Sequence, residues 1–287
     1  MEARIVRILS KDYTILLPDG RRVNAVAMGK LRRNVIPVVG DLVEAHELGG
    51  TWGIQKILPR RNCLIRPACA NVDQALIVMS VKDPDFSPAL IDRLSVLITH
   101  AGIKPVLCIT KCDLGISEET EDRIREYEQG AIEVIRTGRD ELNPRVENLF
   151  RNKITVLTGQ SGAGKSTLLN EINPAFQLAT QEISKALGRG KHTTRHSELH
   201  EVAGGLVADT PGFSSLDFSA LKDLEIAESI PDFRPYIGFC RFNDCVHENE
   251  PDCAIKAALA AGKLSQTRYL DYLDILKLVR NRKETWG

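Results

Sequence analysis

No stretch of this 287-residue sequence reaches the roughly 18 consecutive apolar residues that a helix needs to span a bilayer. The opening Met-Glu-Ala-Arg is followed by no apolar signal region, so we expect a cytoplasmic protein without a membrane anchor. Internal repeats and low-complexity tracts are also missing. The apolar fraction of 43% and the charged fraction of 26% are those of a globular protein, and the length allows two or three domains.

Net charge is absent overall, because 38 basic side chains balance 38 acidic ones, but residues 1–66 carry twelve basic and six acidic side chains. This part alternates short β-like runs, at 3–8, 13–17, 41–45 and 52–57, with turn signals. The pattern predicts a small barrel of the OB type, and such barrels bind oligonucleotides. We predict RNA contact here, against the alternative of a solvated basic surface. The candidate contacts are Arg21, Arg22, Arg32, Arg33, Arg60 and Arg61.

From residue 72 the pattern changes to apolar strands that alternate with helices. Strands are predicted at 75–79, 105–109, 131–135 and 154–158, and their near-continuous apolar runs indicate a parallel sheet covered on both faces. Ser87 followed by Pro88 predicts a helix start. Another helix is predicted at 118–129, a hairpin around residues 204–205, and a final helix from about 265 to 282.

A phosphate-binding loop is the strongest single motif. Residues 159–166 read Gly-Gln-Ser-Gly-Ala-Gly-Lys-Ser, directly after an apolar strand and before a helical segment. In this context the glycines let backbone N–H groups converge on phosphates, Lys165 adds a positive charge, and the Ser166 hydroxyl can ligate Mg²⁺. The flanking strand and helix strongly disfavour the alternative of a glycine-rich turn with an accidental Lys-Ser pair.

The order of the motifs narrows the function further. Residues 110–113 (Thr-Lys-Cys-Asp) have the pattern of the guanine-recognition element of GTPases, yet they precede the phosphate loop, which reverses the ordinary order. Residues 188–194 (Gly-Arg-Gly-Lys-His-Thr-Thr) and 209–212 (Asp-Thr-Pro-Gly) follow the loop as two switch regions would. Alone, residues 110–113 could be a surface turn, and residues 209–212 are a weak signal. Together the motifs predict a circularly permuted GTPase domain.

Asp113 is the residue that would select guanine. Its carboxylate can accept hydrogen bonds from guanine N1–H and the exocyclic amine. Adenine presents an unprotonated N1 and no 2-amino group, so a desolvated carboxylate would be left unpaired. We therefore expect GTP rather than ATP. Thr110 stands where Asn is more usual, which leaves open whether a hydrogen bond braces the phosphate loop from this position.

Hydrolysis depends on residues in the switch segments. Thr193 or Thr194 would complete the Mg²⁺ shell, and we favour Thr194 because a basic residue directly follows it. The residue after Asp-Thr-Pro-Gly is Phe213, which cannot orient an attacking water as the glutamine of many GTPases does. We expect slow intrinsic turnover, with His192 as the best candidate for the missing group. The alternative for His192 is a solvated loop histidine.

Three of the seven cysteines crowd into residues 240–253 beside a histidine. The spacing Cys-x4-Cys-x-His-x5-Cys supplies three thiolates and one imidazole, a set that suits tetrahedral Zn²⁺. Since no carboxylate ligand or open position accompanies the set, we expect a structural metal that folds a small helical C-terminal region. The ligands are Cys240, Cys245, His247 and Cys253. The other four cysteines are expected to be buried small hydrophobes.

These motifs together closely resemble the RsgA (YjeQ) family of circularly permuted, ribosome-associated GTPases. The resemblance spans the whole chain and includes residues 38–41 (Val-Val-Gly-Asp) and 70–73 (Ala-Asn-Val-Asp). It implies a multidomain protein with an OB-fold RNA-binding domain (1–68), a permuted α/β GTPase domain (69–218) and a helical zinc-binding domain (219–287). It also implies GTP hydrolysis stimulated by the small ribosomal subunit during late maturation, with GTP/GDP, Mg²⁺ and one Zn²⁺ as cofactors. We expect a monomer that contacts rRNA.

The resemblance also assigns residues. The guanine contacts are Thr110, Lys111 and Asp113, supported by Thr137 and Gly138. Residues 134–136 (Val-Ile-Arg) depart from the Ser-Ala or Ser-Ser pair expected before that Thr-Gly. The phosphate loop comprises Gly159, Gln160, Ser161, Gly162, Ala163, Gly164, Lys165, Ser166 and Thr167. The switch residues are Thr193, Thr194, Asp209 and Gly212. The residues themselves, rather than the resemblance, place Ser166 and Thr194 on Mg²⁺ and His192, Lys165 and Thr194 in catalysis.

Two other function classes compete with this interpretation. A nucleotide-gated RNA-binding protein without turnover would account for Phe213, and addition of its partner would then release no phosphate. A P-loop ATPase or kinase is disfavoured by Asp113 and by the lack of a lid-like insertion.

Overall fold

The computed structural model describes residues 1–29, 31, 35–65, 68–139, 144–174, 196–208, 218 and 221–284. Contacts group the chain into two compact units, each drawn from distant parts of the sequence. The first comprises Met1–Gln74, Leu142–Thr158 and Lys165–Gly212, and the second Ala75–Glu141, Gly159–Gly164 and Phe213–Gly287. The boundaries of the three predicted domains stay a prediction. In the described ranges no helix is both long and apolar enough to cross a membrane.

The described elements are as follows. The strands are β1 (Glu2–Leu9), β2 (Asp12–Leu16), β3 (Arg22–Ala27), β4 (Leu42–Leu48), β5 (Thr51–Ile57), β6 (Cys63–Leu64), β7 (Cys69–Ala70), β8 (Gln74–Ser80), β9 (Lys104–Thr110), β10 (Glu133–Arg136), β11 (Ile154–Gly159), β12 (His196–Val202) and β13 (Gly205–Ala208). The α-helices are α1 (Pro88–His100), α2 (Glu118–Gln129), α3 (Pro144–Phe150), α4 (Lys165–Ile172), α5 (Asp223–Glu228), α6 (Ala254–Ala260) and α7 (Gln266–Glu284). Cys112–Leu114 and Pro231–Tyr236 form 3₁₀ helices.

The first unit begins with a closed five-stranded barrel. Its strand order is β1-β2-β3-β5-β4, and β4 returns to pair with β1. The neighbours are antiparallel except for β3 and β5, which run parallel. Alternate side chains fill the interior, among them Ile5, Tyr13, Ile15, Trp52 and Ile54. The prediction of an OB-type barrel is confirmed.

The sequence patterns identified four of the five barrel strands and missed β3. Along this strand only Ala25 is fully buried, while Val26 is exposed. A strand with an apolar residue on its solvent face lacks the period-two alternation by which half-buried strands are recognised. The register of β3 therefore becomes clear only from its pairing with β2 and β5.

The first unit also contains β11, β12 and β13 with the helices α3 and α4. β11 and β13 run parallel, and β12 and β13 form the predicted hairpin. β12 additionally pairs antiparallel with β1 of the barrel, with Arg7 opposite Glu198. Gly205 permits close packing of this region, because a Cβ there would lie 1.7 Å from the carbonyl oxygen of Phe150.

The strands of the second unit follow the order β10-β9-β8, and β9 and β10 are parallel. Every residue of β8 is buried, as its continuous apolar run predicts. Helix α1 begins at Pro88 as expected, although the Ser87 side chain makes no capping hydrogen bond. Helix α2 has the predicted bounds, and Ser117 caps it by accepting a hydrogen bond from the amide of Thr120.

The C-terminal helices of the second unit share a core with α1. Val96 of α1 belongs to the same buried cluster as Ile226, Phe233, Tyr272 and Leu276. This cluster also takes in two of the cysteines in the metal motif, Cys245 and Cys253. The region around the metal motif is therefore stabilised by packing on α1 as well as by its cysteines.

A buried ion network connects α7 with α1 and α2. Arg268 of α7 donates from Nη2 to Asp92 Oδ1 of α1 at 3.3 Å and also pairs with Asp232. Its guanidinium carbon lies 4.6 Å from the centroid of the Tyr127 ring. A buried charge of this kind is costly to leave unpaired, so the network fixes how α1, α2 and α7 meet within this unit.

Candidate nucleotide and metal sites

Thr110 connects the guanine-recognition element (residues 110–113, the guanine motif) to the phosphate loop. It is the buried last residue of β9, and its Oγ1 donates to the carbonyl oxygen of Ala163 at 2.7 Å. Ala163 is itself fully buried in the phosphate loop. A threonine hydroxyl thus makes the bracing hydrogen bond that the sequence left open when Asn was missing from this position.

Lys111 reaches the loop that follows β8. Its backbone has a φ of +60°, and its Nζ donates to the carbonyl oxygen of Asp83. Ser80, the last residue of β8, donates from Oγ to the Pro84 carbonyl of this loop at 2.8 Å. A Cβ at Gly162 of the phosphate loop would lie 3.5 Å from Pro84 Cδ. No sequence motif marks this loop, because its contacts use backbone carbonyl groups and a proline ring.

Asp113 is oriented by the loop after β10. Its Oδ1 accepts a hydrogen bond from the backbone N–H of Arg139 at 2.8 Å. A Cβ at Gly138 would lie 3.1 Å from the same oxygen, which explains why glycine suits this close approach. The Thr137 carbonyl accepts from the Cys112 amide at 3.2 Å. The structure thus brings Thr137 and Gly138 to the guanine motif and adds the Arg139 amide, which no side-chain pattern could have signalled.

The phosphate loop has the backbone that its glycines predict. Gly159, Gly162 and Gly164 have φ values of +123°, +82° and +91°, a backbone conformation that residues other than glycine rarely adopt. A Cβ at Gly159 would lie 2.0 Å from the Val78 carbonyl oxygen. Helix α4 begins at Lys165, whose pKa is lowered by burial. A loop of this shape at a helix start presents backbone N–H groups to an anion.

Six residues of the predicted switch segments lie outside the described residues, so their roles stay predictions. These residues are His192, Thr193, Thr194, Asp209, Gly212 and Phe213. The described strands flank them in the chain, since β12 begins at His196 and β13 ends at Ala208, immediately before Asp209.

The four residues of the metal motif converge. Their ligand atoms all lie within 4.8 Å of one another. His247 Nδ1 lies 3.6, 3.3 and 3.4 Å from the Sγ atoms of Cys240, Cys245 and Cys253. Four ligands on a tetrahedron with metal–ligand bonds of about 2.0–2.3 Å would be spaced at roughly 3.3–3.8 Å. The set therefore fits a tetrahedral metal ion.

Hydrogen bonds from α7 and from a local turn hold the backbone of the metal motif, which we call the metal loop (residues 240–253). The backbone carbonyl of His247 accepts from the Tyr269 hydroxyl at 2.6 Å, and the Val246 carbonyl accepts from the Tyr272 hydroxyl. The Glu250 carboxylate accepts from the Val246 amide at 2.9 Å. Such outer contacts orient the ligands before a metal binds.

Burial also shifts the pKa values of two residues of the metal motif. Burial raises the pKa of the Cys245 thiol to about 12, and burial lowers the pKa of His247 below its ordinary value. The imidazole is therefore neutral at pH 7, as a ligand must be, whereas the thiol needs a nearby positive charge to ionise. A divalent metal held by these residues would supply that charge and displace the thiol proton.

Several barrel arginines that we predicted as RNA contacts have structural partners. Arg60 Nε lies 2.6 Å from Oδ1 of the fully buried Asp41. Arg22 pairs with Glu201 on β12 at 3.3 Å, and Arg61 pairs with Asp73 at 2.7 Å. Arg21 forms a local pair with Asp19, while Arg32 and Arg33 lie outside the described residues. The basic excess of this region thus partly serves the fold.

The remaining four cysteines match the prediction of burial in two cases. Cys69 and Cys108 are buried and Cys112 is half-buried, but Cys63 is exposed. Cys63 lies in the two-residue strand β6, which pairs with β7 in a separate two-stranded sheet.

A phosphate loop braced by a guanine motif that precedes it in the chain defines a circularly permuted P-loop GTPase. The RsgA GTPase family model matches residues 57–219. The chain belongs to this family and is a GTP hydrolase of the RsgA type. The resemblance noted from the motifs is confirmed.

Relatives and solved structures match over nearly the full length. Small ribosomal subunit biogenesis GTPase RsgA 2 of Oceanobacillus iheyensis is 42% identical over 98% of both chains. RsgA of Bacillus subtilis is also 42% identical over 98% of both chains. The crystal structure of YloQ, described as a circularly permuted GTPase, superposes with a TM-score of 0.83 at 36% identity, covering 98% of this chain and 95% of YloQ. YjeQ from Thermotoga maritima gives 0.82 at 30% identity, covering 97% and 98%.

Proposed function

We propose that this chain acts in biogenesis of the small ribosomal subunit, binding the subunit and hydrolysing GTP late in its maturation. The subunit would stimulate turnover. Support comes from the names of relatives that match along the whole chain. The structural observation that supports it most is the hydrogen bond from Thr110 to Ala163, because it links a base-selecting motif to a phosphate-binding loop.

In this proposal Asp113 reads the guanine edge. The Arg139 amide holds one carboxylate oxygen, and the carboxylate group is exposed to a ligand. Lys111 would flank the base, while Thr137 and Gly138 shape the loop behind it. The phosphates would lie on residues 159–167, where Lys165 and the start of α4 supply positive charge.

Hydrolysis would require Mg²⁺ and the switch segments. Ser166 is exposed at the start of α4 and would ligate the ion together with Thr194. We propose His192 as the group that orients water in place of the glutamine that Phe213 replaces, while Asp209 and Gly212 sense the metal and the γ-phosphate. Because these groups would need the subunit to align them, intrinsic turnover is expected to be slow.

We propose that the metal is one structural Zn²⁺ held by Cys240, Cys245, His247 and Cys253, which suits the soft thiolate set. The assembly would comprise an OB-fold RNA-binding domain (1–68), the GTPase domain (69–218) and the zinc domain (219–287). rRNA of the small subunit would contact the first and third of these. We expect a cytoplasmic monomer.

The proposal is tested by phosphate release from GTP with and without purified small ribosomal subunits. Large subunits and ATP serve as matched controls. Strong stimulation by small subunits alone is the expected result. Binding without stimulation would favour a nucleotide-gated module without turnover, and neither binding nor stimulation would contradict the proposed partner.

A further inference from the structure

Two phenylalanine rings stand out from the surface beside the metal cluster. Phe239 is 77% exposed and Phe242 is 41% exposed, and no other phenylalanine of the described residues is exposed. Arg241 lies between them in the sequence. We call Phe239, Arg241 and Phe242 the aromatic tip. The two exposed rings are three residues apart in the chain and offer apolar area that a partner could bury.

The backbone of the metal loop holds the aromatic tip in place. The Phe239 amide donates to the Tyr236 carbonyl at 3.2 Å, and the Phe242 carbonyl accepts from the Cys245 amide at 3.3 Å. Cys240, a member of the metal cluster, lies between the two rings in the chain. A partner that contacts these rings would order little new structure, which lowers the entropic cost of binding.

The aromatic tip has no excess of positive charge. The Arg241 guanidinium carbon lies 5.5 Å from the centroid of the Phe242 ring, and the same guanidinium pairs with Asp252 at 3.1 Å. The neighbouring Asp244 is exposed as well. Attraction of phosphate groups is therefore weak here. Two rings and a planar guanidinium instead offer flat surfaces of the kind on which unpaired bases stack.

We propose that the aromatic tip stacks on an unpaired base of the small-subunit rRNA. This rests on the proposed function, which supplies an RNA partner. A paired base is excluded because its faces are covered by its neighbours in the helix. The stacking is insensitive to base identity, since every base has a flat face. Contact with a ribosomal protein is the competing occupant that the experiment must separate.

The test measures equilibrium binding of the full chain to purified small subunits in the presence of a non-hydrolysable GTP analogue. Phe239→Ala and Phe239→Leu are expected to weaken binding by about tenfold, whereas Phe239→Trp retains it. Leucine keeps apolar area but cannot stack, so this pair isolates stacking. The slope of affinity against salt concentration stays that of the wild type, because no phosphate contact is lost.

Leu270→Ala is the matched control, since Leu270 is a half-exposed apolar residue on α7 of the same unit. It is expected to bind like the wild type. Metal content and basal phosphate release, measured for every variant, show that the fold is retained. Full affinity in Phe239→Leu would assign the rings to an apolar protein contact and overturn the proposal, as would full affinity in Phe239→Ala. Either of these results would leave the stimulation of the wild type, and hence the proposed function, untouched. If the wild type itself failed to bind small subunits, the proposed function and this inference would both be refuted.

Discussion

The metal cluster and the guanine motif belong to the same compact unit. They differ in the atoms that form them, which are side-chain atoms in the metal cluster and largely backbone groups around the guanine motif. In the metal cluster, side-chain atoms of four residues converge, and the sequence spacing names all of them. In the guanine motif, the decisive contacts are backbone groups: the Ala163 carbonyl, the Asp83 carbonyl and the Arg139 amide. A site of the first kind fails when one side chain changes, whereas a site of the second kind depends on the conformation of its loops.

The largest effect is expected for Cys245→Ser, because a structural metal site contributes about 10–16 kcal/mol to folding in small zinc peptides. Metal content should fall well below one ion per chain. The C-terminal helices should lose protection from proteolysis, since Cys245 belongs to the core that α7 helps to form. Elemental analysis and limited proteolysis measure both effects.

Cys63→Ser is the control, because Cys63 is exposed and lies outside the metal cluster. It should leave metal content and protease resistance unchanged. If Cys245→Ser kept a full complement of metal, the four-ligand assignment would be wrong.

A smaller effect is expected for Asp113→Asn. An amide nitrogen would face the guanine donors in place of an acceptor, and each lost charged hydrogen bond costs about 1.5–3 kcal/mol. GTP affinity should fall by roughly 100-fold, while xanthine nucleotides gain affinity because their 2-oxo group can accept from the new amide. Competitive nucleotide titration measures the exchange of preference.

Arg139→Ala sharpens the comparison, because it removes a side chain but keeps the amide that holds Asp113. Its GTP affinity should equal that of the wild type. Arg139→Pro removes the N–H and should weaken GTP binding. Equal affinities for the proline and alanine variants would show that the backbone hydrogen bond does not matter to the guanine site.

The smallest effect is expected for Thr110→Ala. Loss of one hydrogen bond to the buried Ala163 carbonyl should cost about 1 kcal/mol, or roughly fivefold in affinity for GTP and GDP alike. Thr110→Ser keeps the hydroxyl and should bind like the wild type. A change in base preference, rather than a uniform loss, would mean that Thr110 contacts the base and does not brace the loop.

The sequence predicted the elements whose side chains carry the signal. Apolar runs identified β8, β9 and β11, and glycine positions identified the phosphate loop. Strand β3 escaped because Val26 faces solvent, and the loop at Asp83 escaped because it acts through a carbonyl. The grouping of the chain into two units could not be foreseen either, since the network around Arg268 joins residues 176 positions apart.

Strand β1 limits how the barrel can be separated from the rest of the chain. Its residues 7–9 hydrogen-bond to β12, so β1 serves two sheets at once. Cutting the chain after residue 68 would leave that edge of the barrel without its partner, with Arg7 and Arg22 also deprived of the carboxylates of Glu198 and Glu201. Unprotected edges recruit other strands. An isolated barrel is thus expected to self-associate.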